Sequence, residues 1–169
     1  MASKVLILLD HPDYKNSKAN RAMIDALQGL DNVKVIDICT TPIEEKFYID
    51  EFKKADVVIF QFPMWWFAAP APLKEWCDKL LIGIRESGVL RGKRLMCATT
   101  TGGTEDGYQD DGKDGDFTVD KTFNNYHSLA AYCGMEYLPP FVIYGTMAPE
   151  AESNIEAGAK SYRELIEDL

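Results

Sequence analysis

Five short apolar runs recur along the chain, and a segment with helical periodicity follows each of them. The runs are almost continuously hydrophobic, as in DVVIFQF at 56–62. That pattern is typical of strands buried on both faces of a sheet. The five runs lie at 4–10, 33–38, 56–62, 93–100 and 135–145. This alternation predicts an α/β fold in which one parallel sheet lies between two layers of helices.

The helices are predicted from apolar residues at three- and four-residue spacing. The first has Ser17 as its N-cap and Gly29 at its end, and the third begins after Pro70 and Pro72. The helical segments cover 19–30, 49–55, 73–84, 119–133 and 155–169.

Five strands joined by right-handed crossovers favour the order 2-1-3-4-5, which gives a flavodoxin-like three-layer sandwich. The length of 169 residues is that of one domain, so residues 1–169 are assigned to a single flavodoxin-like domain. In such sheets, ligands bind beyond the carboxyl ends of the strands, near the switch point between the first and third. The loops at 11–20, 63–71 and 100–115 are therefore the candidate site.

Charge and composition exclude several classes of function. The net charge of −9 argues against non-specific nucleic-acid binding, which needs cations to neutralise phosphates. No run of eighteen apolar residues occurs, so no membrane span is expected. Only two histidines are present, far apart, and no metal site is expected. The cysteines form no CxxC pair and are expected to be free thiols in a reducing cytoplasm: Cys39, Cys77, Cys97 and Cys133.

The first loop carries neither a GxGxxG nor a GxxxxGK[ST] motif, so a Rossmann dinucleotide site or an ATP-binding P-loop is disfavoured. It places Ser17, Lys18, Ala19 and Asn20 at the start of a helix. A phosphate there could accept from free backbone N–H groups, the Ser17 hydroxyl and the Asn20 amide. The alternative is plain N-capping by Ser17. His11 either caps a turn or donates to a phosphate or a ring carbonyl.

The second loop is the most unusual, because Trp65, Trp66 and Phe67 follow Pro63 and Met64 at the end of a strand. Three successive large aromatic residues cannot all point into the core. At least one must face a ligand or a partner chain, since large exposed apolar patches are uncommon on monomers.

The third loop contains the sequence TTTGG, followed by Thr104. Its adjacent glycines, Gly102 and Gly103, allow close backbone approach and offer unobstructed N–H groups beside Thr101. A plain strand-to-loop turn is the alternative. Together, the three loops describe a site for a planar aromatic ring with a phosphate tail, which fits FMN.

Several segments resemble the flavodoxin-like NAD(P)H:quinone oxidoreductases. They are HPDYKNSKAN, FPMWWFAAPAPLKEWCDKL, TTGG and YCGMEYLPPF, and they occur in the expected order over nearly the whole chain. The sequence is most similar to the small bacterial branch, which includes ancillary proteins of glutathione-gated potassium efflux systems. DT-diaphorase-type quinone reductases are more distant relatives.

The resemblance implies one noncovalent FMN per subunit and a homodimer with active sites at the subunit interface. It implies two-electron, ping-pong reduction of quinones or similar flat acceptors, with NADPH or NADH as donor. By position, His11 and 17–20 would hold the phosphate end, Met64–Phe67 would line the ring and ribityl chain, and Thr101–Thr104 would donate to the polar edge of the ring. We expect Trp66 and Phe67 to form the flavin wall, and one tryptophan to reach the substrate side or the partner subunit.

One departure concerns a tyrosine and a histidine that DT-diaphorase-type enzymes carry after the glycine pair. Tyr108 falls at the position of the tyrosine and is the candidate catalytic residue, whereas Asp114 falls where the histidine would be. An aspartate is ordinarily anionic at neutral pH and is a poor replacement for a donor. His127 is expected in the fourth helix with a structural or interfacial role.

Three alternatives come from other classes of protein. The resemblance also fits a regulatory subunit of a potassium efflux transporter, cytoplasmic and peripheral at the inner membrane through that partner. Size and acidity suggest a flavodoxin-type electron carrier, but DHPDYKNSKAN is not the usual Ser/Thr-rich phosphate loop of that class. A hydrolase using His11 with Asp10 or Asp13 lacks an elbow-type nucleophile motif.

Overall fold

The computed structural model describes residues 2–110 and 117–169. Its strands form one parallel sheet with the predicted order β2-β1-β3-β4-β5, and a sixth strand also pairs with β4. The strands are β1 Val5–Leu9, β2 Val33–Asp37, β3 Val57–Pro63, β4 Arg94–Thr100, β5 Glu136–Tyr137 and β6 Phe141–Ile143. The central strands β1 and β3 are buried throughout, as their apolar sequences predict. The predicted flavodoxin-like sheet is therefore confirmed.

The fifth predicted strand, 135–145, is divided into β5 and β6. Both pieces pair with β4, but the register shifts by one residue between Leu95↔Tyr137 and Ala98↔Phe141. Pro139 and Pro140 lie between the two pieces and cannot donate ladder hydrogen bonds. The prediction of one continuous strand was wrong, because the apolar pattern does not show that these two residues lack backbone N–H donors.

All five predicted helical segments differ from the observed helices in their bounds. The helix predicted at 19–30 ends at Ala26, the one predicted at 73–84 begins at Ala71 with Pro72 in its first turn, and the one predicted at 155–169 begins at Ala151. The helices are α1 Ala19–Ala26, α2 Glu45–Phe52, α3 Ala71–Glu86, α4 Val119–Thr122, α5 Asn124–Cys133 and α6 Ala151–Asp168. The helix predicted at 49–55 begins at Glu45, because Tyr48 belongs to its buried face. The helix predicted over 119–133 is interrupted at Phe123, which is buried and packs its ring 5.3 Å from Phe62.

Each face of the sheet has its own hydrophobic core, which confirms the three-layer arrangement. Helices α2, α3 and α5 pack on one face around the buried Trp76, whose ring contacts Tyr48, Phe52 and Phe60. Helices α1 and α6 pack on the other face through Met23 and Tyr162. Within residues 2–110 and 117–169, no helix is both long enough and apolar enough to cross a bilayer.

Candidate functional site

The loops after β1, β3 and β4 meet at the carboxyl edge of the sheet, as the topology predicts. Helix α1 follows the first loop, helix α3 follows the second, and the third leads into a short 3-10 turn at Glu105–Gly107. The site is therefore built on three adjacent parallel strands.

A buried hydrogen-bonded network, which we call the polar floor, lies beneath these loops. It comprises Asp10, Asn20, Gln61, Thr100 and Tyr162, and all five residues are buried. Asp10 joins it through its backbone N–H, which donates to the Gln61 carbonyl at 2.8 Å. Gln61 Nε2 donates to the carbonyl and Oδ1 of Asn20, at 3.2 and 3.3 Å, and Gln61 Oε1 accepts from the Tyr162 hydroxyl at 3.2 Å. Asn20 Nδ2 donates to Thr100 Oγ1 at 3.2 Å. The floor thus connects β3, β4, α1 and α6.

Asp10 connects the end of β1 to the start of α3. Its Oδ2 accepts from the Leu73 backbone N–H at 3.1 Å, and its Oδ1 accepts from the Cys39 thiol at 3.4 Å. A carboxylate at a helix N-terminus is favoured by the free N–H groups and the helix dipole. Burial nevertheless dominates and raises the Asp10 pKa from 3.8 to about 6.

The first loop offers a helix N-terminus suited to an anion. Ser17 Oγ accepts from the Asn20 N–H at 3.2 Å. The N-cap position itself belongs to Lys18, so the prediction of Ser17 as the N-cap was wrong by one residue. The N–H groups of Lys18 and Ala19 lie in the first turn, where a helix provides no internal acceptors. The Asn20 side chain is engaged in the polar floor, so a phosphate contact in this segment falls to Ser17 and the backbone.

His11 lies beside the aromatic segment as a neutral donor. Its Nδ1 accepts from the Asp13 N–H at 3.2 Å, which leaves the ring proton on Nε2. Burial lowers the His11 pKa and so favours the neutral form. The ring meets Trp65 edge-on, with centroids 6.0 Å apart.

The aromatic residues form a tight turn, which we call the aromatic turn, from Trp65 to Ala68. Trp65 and Ala68 exchange both backbone hydrogen bonds, at 2.9 and 3.1 Å. The two central residues have left-handed backbones, with φ of 51° for Trp66 and 63° for Phe67. These positions normally favour glycine or asparagine, so two large side chains here carry strain of the kind concentrated at functional sites.

The side chains of the aromatic turn are largely outside the core. Met64 is buried and Pro63 completes β3, whereas Trp65 and Phe67 are about half exposed and Trp66 is 94% exposed. The expectation that the three aromatic rings cannot all be buried is confirmed. A flat apolar surface is thus presented at the carboxyl edge.

The glycine loop, Thr101–Thr104, lies beside the aromatic turn. Its Thr101 is buried, whereas Gly103 is exposed. A Cβ at Gly102 would lie 2.8 Å from Met147 Sδ, and one at Gly103 would lie 3.3 Å from the Tyr108 ring. Neither glycine has a positive φ, so their role is close approach to neighbours and not an unusual turn.

Tyr108 belongs to an aromatic cluster beside the glycine loop. Its ring lies 5.6 Å from Tyr144 and 6.0 Å from Phe117, and Phe117 also meets Phe67 at 4.8 Å. The cluster thereby links the candidate catalytic residue to the aromatic turn. Asp114 lies outside the described residues.

His127 and three of the cysteines take no part in the hydrogen bonds of the site. Cys39 is the exception, because its thiol donates to Asp10. His127 is in α5, as predicted, and stacks on Tyr137 with centroids 5.4 Å apart. The four cysteines are free: Cys97 and Cys133 are buried, Cys77 is half-buried and Cys39 is exposed. Among the described residues, no cluster of three or more potential metal ligands occurs.

Sequence reasoning missed the polar floor and the contribution of the loop after β6, at residues 144–149. Gln61 is a polar residue inside an otherwise apolar buried strand, and that contrast could have identified it. Phe117, Tyr144 and Met147 gave no comparable signal, because their proximity to Tyr108 or Gly102 depends on how distant loops pack.

A family model described as a flavodoxin-like fold matches residues 3–166. The chain belongs to this family. It is 35% identical to the glutathione-regulated potassium-efflux system ancillary protein KefF of Klebsiella pneumoniae, over 97% of this chain and 95% of the relative. It is 32% identical to general stress protein 14 of Bacillus subtilis, over 97% of each chain.

A solved structure gives the same relationship in three dimensions. The crystal structure of general stress protein 14 of Treponema denticola in complex with FMN superposes with a TM-score of 0.88 at 26% identity. The match covers 98% of each chain. The flavodoxin-like family therefore extends over the whole of the described fold.

Proposed function

We propose that this protein is an FMN-dependent NAD(P)H oxidoreductase of the quinone reductase type. The observation that carries the proposal is the convergence of a helix N-terminus, an exposed aromatic turn and a glycine loop at one sheet edge. The FMN-bound relative from Treponema denticola, with its 0.88 TM-score, supports the same cofactor.

The residues present fit FMN in the chemistry of their donors. The start of α1, with Ser17, Lys18 and Ala19, would hold the phosphate. Among the described residues, the N–H groups of Gly102 and Gly103 have no hydrogen-bond acceptor, so they would donate to the polar edge of the ring. Met64–Phe67 would line the ring and ribityl chain, with the exposed aromatic side chains as its wall.

When bound, FMN would supply the two-electron redox chemistry between NAD(P)H and a quinone or similar flat acceptor. The chain binds and orients the reactants. N–H donors of the glycine loop stabilise negative charge at the ring edge, because they are fixed before the reaction. Neutral His11 would donate from Nε2 to the phosphate end of FMN. The exposed aromatic turn would offer the quinone or similar electron acceptor a flat apolar contact.

Tyr108 is the proposed catalytic residue of the chain. Its ring lies against Gly103, because a Cβ at Gly103 would be 3.3 Å from the ring and 3.5 Å from the hydroxyl oxygen, and a phenolic hydroxyl can donate a hydrogen bond. Replacement by phenylalanine removes the hydroxyl and retains the ring contacts with Tyr144 and Phe117.

Titration with FMN, followed by a steady-state assay with NADH, NADPH and a quinone panel, tests the function. We expect flavin absorbance bound to the protein, bleaching by a nicotinamide and quinone-dependent turnover. Tyr108→Phe should lower turnover about tenfold or more while FMN affinity is retained. A wild-type protein that binds no FMN would overturn the proposal.

A regulatory role at a potassium efflux transporter is a second candidate, favoured by the 35% identity to KefF along nearly the whole of both chains. The protein would be cytoplasmic and held at the inner membrane by the transporter. Membrane fractions from cells with and without the cognate transporter test this role. Equal recovery of the protein from both would contradict it.

We also propose a homodimer with the active sites at the subunit interface. The support is the aromatic turn, because Trp66 is 94% exposed although it is among the largest apolar side chains. Light scattering should give twice the mass of 19.0 kDa. The Trp66→Asp variant should shift toward the monomer, and a monomeric wild type would contradict the proposal.

A further inference from the structure

The loop after β6, at residues 144–149, is not one of the three loops that the sequence nominated, yet it packs directly against the glycine loop. Its backbone N–H groups donate to three successive carbonyl oxygens: Gly145 to Gly103 at 2.7 Å, Thr146 to Thr101 at 2.9 Å and Met147 to Gly102 at 3.3 Å. The Thr146 hydroxyl donates to the Thr101 carbonyl as well, at 2.9 Å. One segment therefore occupies all three carbonyl groups.

Helix α6 holds this segment from the other side. Asn154 Nδ2 donates to the Gly145 carbonyl at 3.3 Å. Gly145 has a φ of +68°, and a Cβ there would lie only 2.7 Å from Asn154 Nδ2. Gly145–Met147 and Asn154 thus form a unit, which we call the clamp, between α6 and the glycine loop.

The clamp determines which way the N–H groups of the glycine loop point. In a planar trans peptide, the N–H points opposite to the carbonyl oxygen of the same group. Since the Thr101 and Gly102 carbonyls point to the clamp, the N–H groups of Gly102 and Gly103 point away from it. Neither N–H has an acceptor among the described residues, so the loop presents two prepared donors.

We propose that Thr146 and Asn154 are positioning residues for FMN binding, acting through the peptide groups of the glycine loop. This inference rests on the proposed function, because it assigns the two oriented N–H donors to the polar edge of the FMN ring. Thr146 contributes through its second hydrogen bond to Thr101, and Asn154 contributes by fixing Gly145 to α6. Neither side chain needs to touch the cofactor.

The test compares FMN binding with local order in the unloaded protein. Thr146→Val keeps the shape and backbone N–H of residue 146 but removes the hydroxyl, and Asn154→Ala removes the tether to α6. Each should raise the FMN Kd, measured by fluorescence quenching, about threefold to tenfold, as expected for one lost hydrogen bond. Hydrogen exchange in the unloaded protein should show faster exchange at the Gly145 N–H.

Thr122→Val is the matched control. The Thr122 hydroxyl also donates to a backbone carbonyl, that of Thr118, at 2.9 Å, and Thr122 is also half-buried. This variant should lose a similar amount of stability without changing the FMN Kd. A Kd shift in the clamp variants beyond that of Thr122→Val separates positioning from general destabilisation.

The outcomes distinguish the two proposals. If the wild type binds FMN and both clamp variants bind it equally well, the positioning role is overturned and the FMN-dependent function stands. If exchange at Gly145 rises without a change in Kd, the clamp orders the loop but does not serve FMN, and the inference fails. If the wild type itself binds no FMN, the proposed function fails.

Discussion

The polar floor and the aromatic turn lie next to each other at one edge of the sheet but are stabilised in opposite ways. The floor is buried and polar, and its side chains are hydrogen-bonded. Asn20, Gln61, Thr100 and Tyr162 sit on regular strands and helices, and Asp10 directly follows β1. The turn is exposed and apolar, and its backbone is strained at Trp66 and Phe67. The difference supports a stabilising role for the floor and agrees with the binding role proposed for the turn.

Gln61→Leu should have the largest effect, because it removes the centre of the floor. The Tyr162 hydroxyl and Asn20 Oδ1 would lose their partner while remaining buried. We expect the free energy of unfolding to fall by about 4 kcal/mol, since each unsatisfied buried group costs about 1–3 kcal/mol. Urea unfolding of the FMN-free protein measures this. The exposed Gln28→Leu control should stay within about 0.5 kcal/mol.

A loss at Gln61→Leu no larger than at Gln28→Leu would mean that the floor does not stabilise the fold. The contrast with the aromatic turn would then disappear.

Asp10→Asn should sharpen the comparison through pH, because Asp10 carries the carboxyl group of the floor. Its pKa rises on folding from 3.8 to about 6, chiefly through burial. The unfolded chain therefore ionises first, and the Asp10 contribution to stability falls between about pH 4 and pH 6. Through Asp10, the free energy of unfolding of the wild type should be about 3 kcal/mol lower above pH 6 than below pH 4.

The amide introduced by Asp10→Asn would carry no charge, and its oxygen can still accept from the Leu73 N–H. The variant should therefore be more stable than the wild type above pH 6, and the two should converge below pH 4. Urea unfolding from pH 4 to pH 8 gives both curves. Parallel curves would show that the Asp10 carboxyl titrates alike in the folded and unfolded states.

Replacing the centre of the aromatic turn by Asn-Gly should have the smallest effect on stability, and in the opposite direction. Trp66→Asn with Phe67→Gly supplies residues suited to positive φ, so the free energy of unfolding should rise by about 1–2 kcal/mol. The loss of both rings should weaken FMN binding. Thermal unfolding and FMN titration of the same variant measure the two effects.

The double variant Trp66→Ala with Phe67→Ala separates the effect of losing the aromatic rings from the effect of relieving backbone strain. It removes the rings but leaves Cβ atoms at positive φ, so FMN binding should weaken without the gain in stability. Unchanged FMN affinity in both double variants would remove the aromatic turn from the cofactor site.

Much of the site followed from strand order alone. Once the order 2-1-3-4-5 was inferred, the first, second and third loops had to meet, because parallel strands bring their carboxyl ends to one edge. The prolines at the start of α3 and the exposure of the aromatic residues also followed from local rules. The break at Pro139–Pro140 could also have been predicted, because proline has no backbone N–H to donate. The apolar pattern of 135–145 favoured one continuous strand instead.

By itself, the sequence determined the alternation of strands and helices and the chemical types of residue at the carboxyl edge. Periodicity and side-chain type act over a few residues and are visible in a single chain. Tertiary structure decided the left-handed backbones of Trp66 and Phe67, the engagement of Asn20 beneath the site and the clamp from α6 to the glycine loop. These depend on contacts between residues far apart in the chain, which no local pattern encodes.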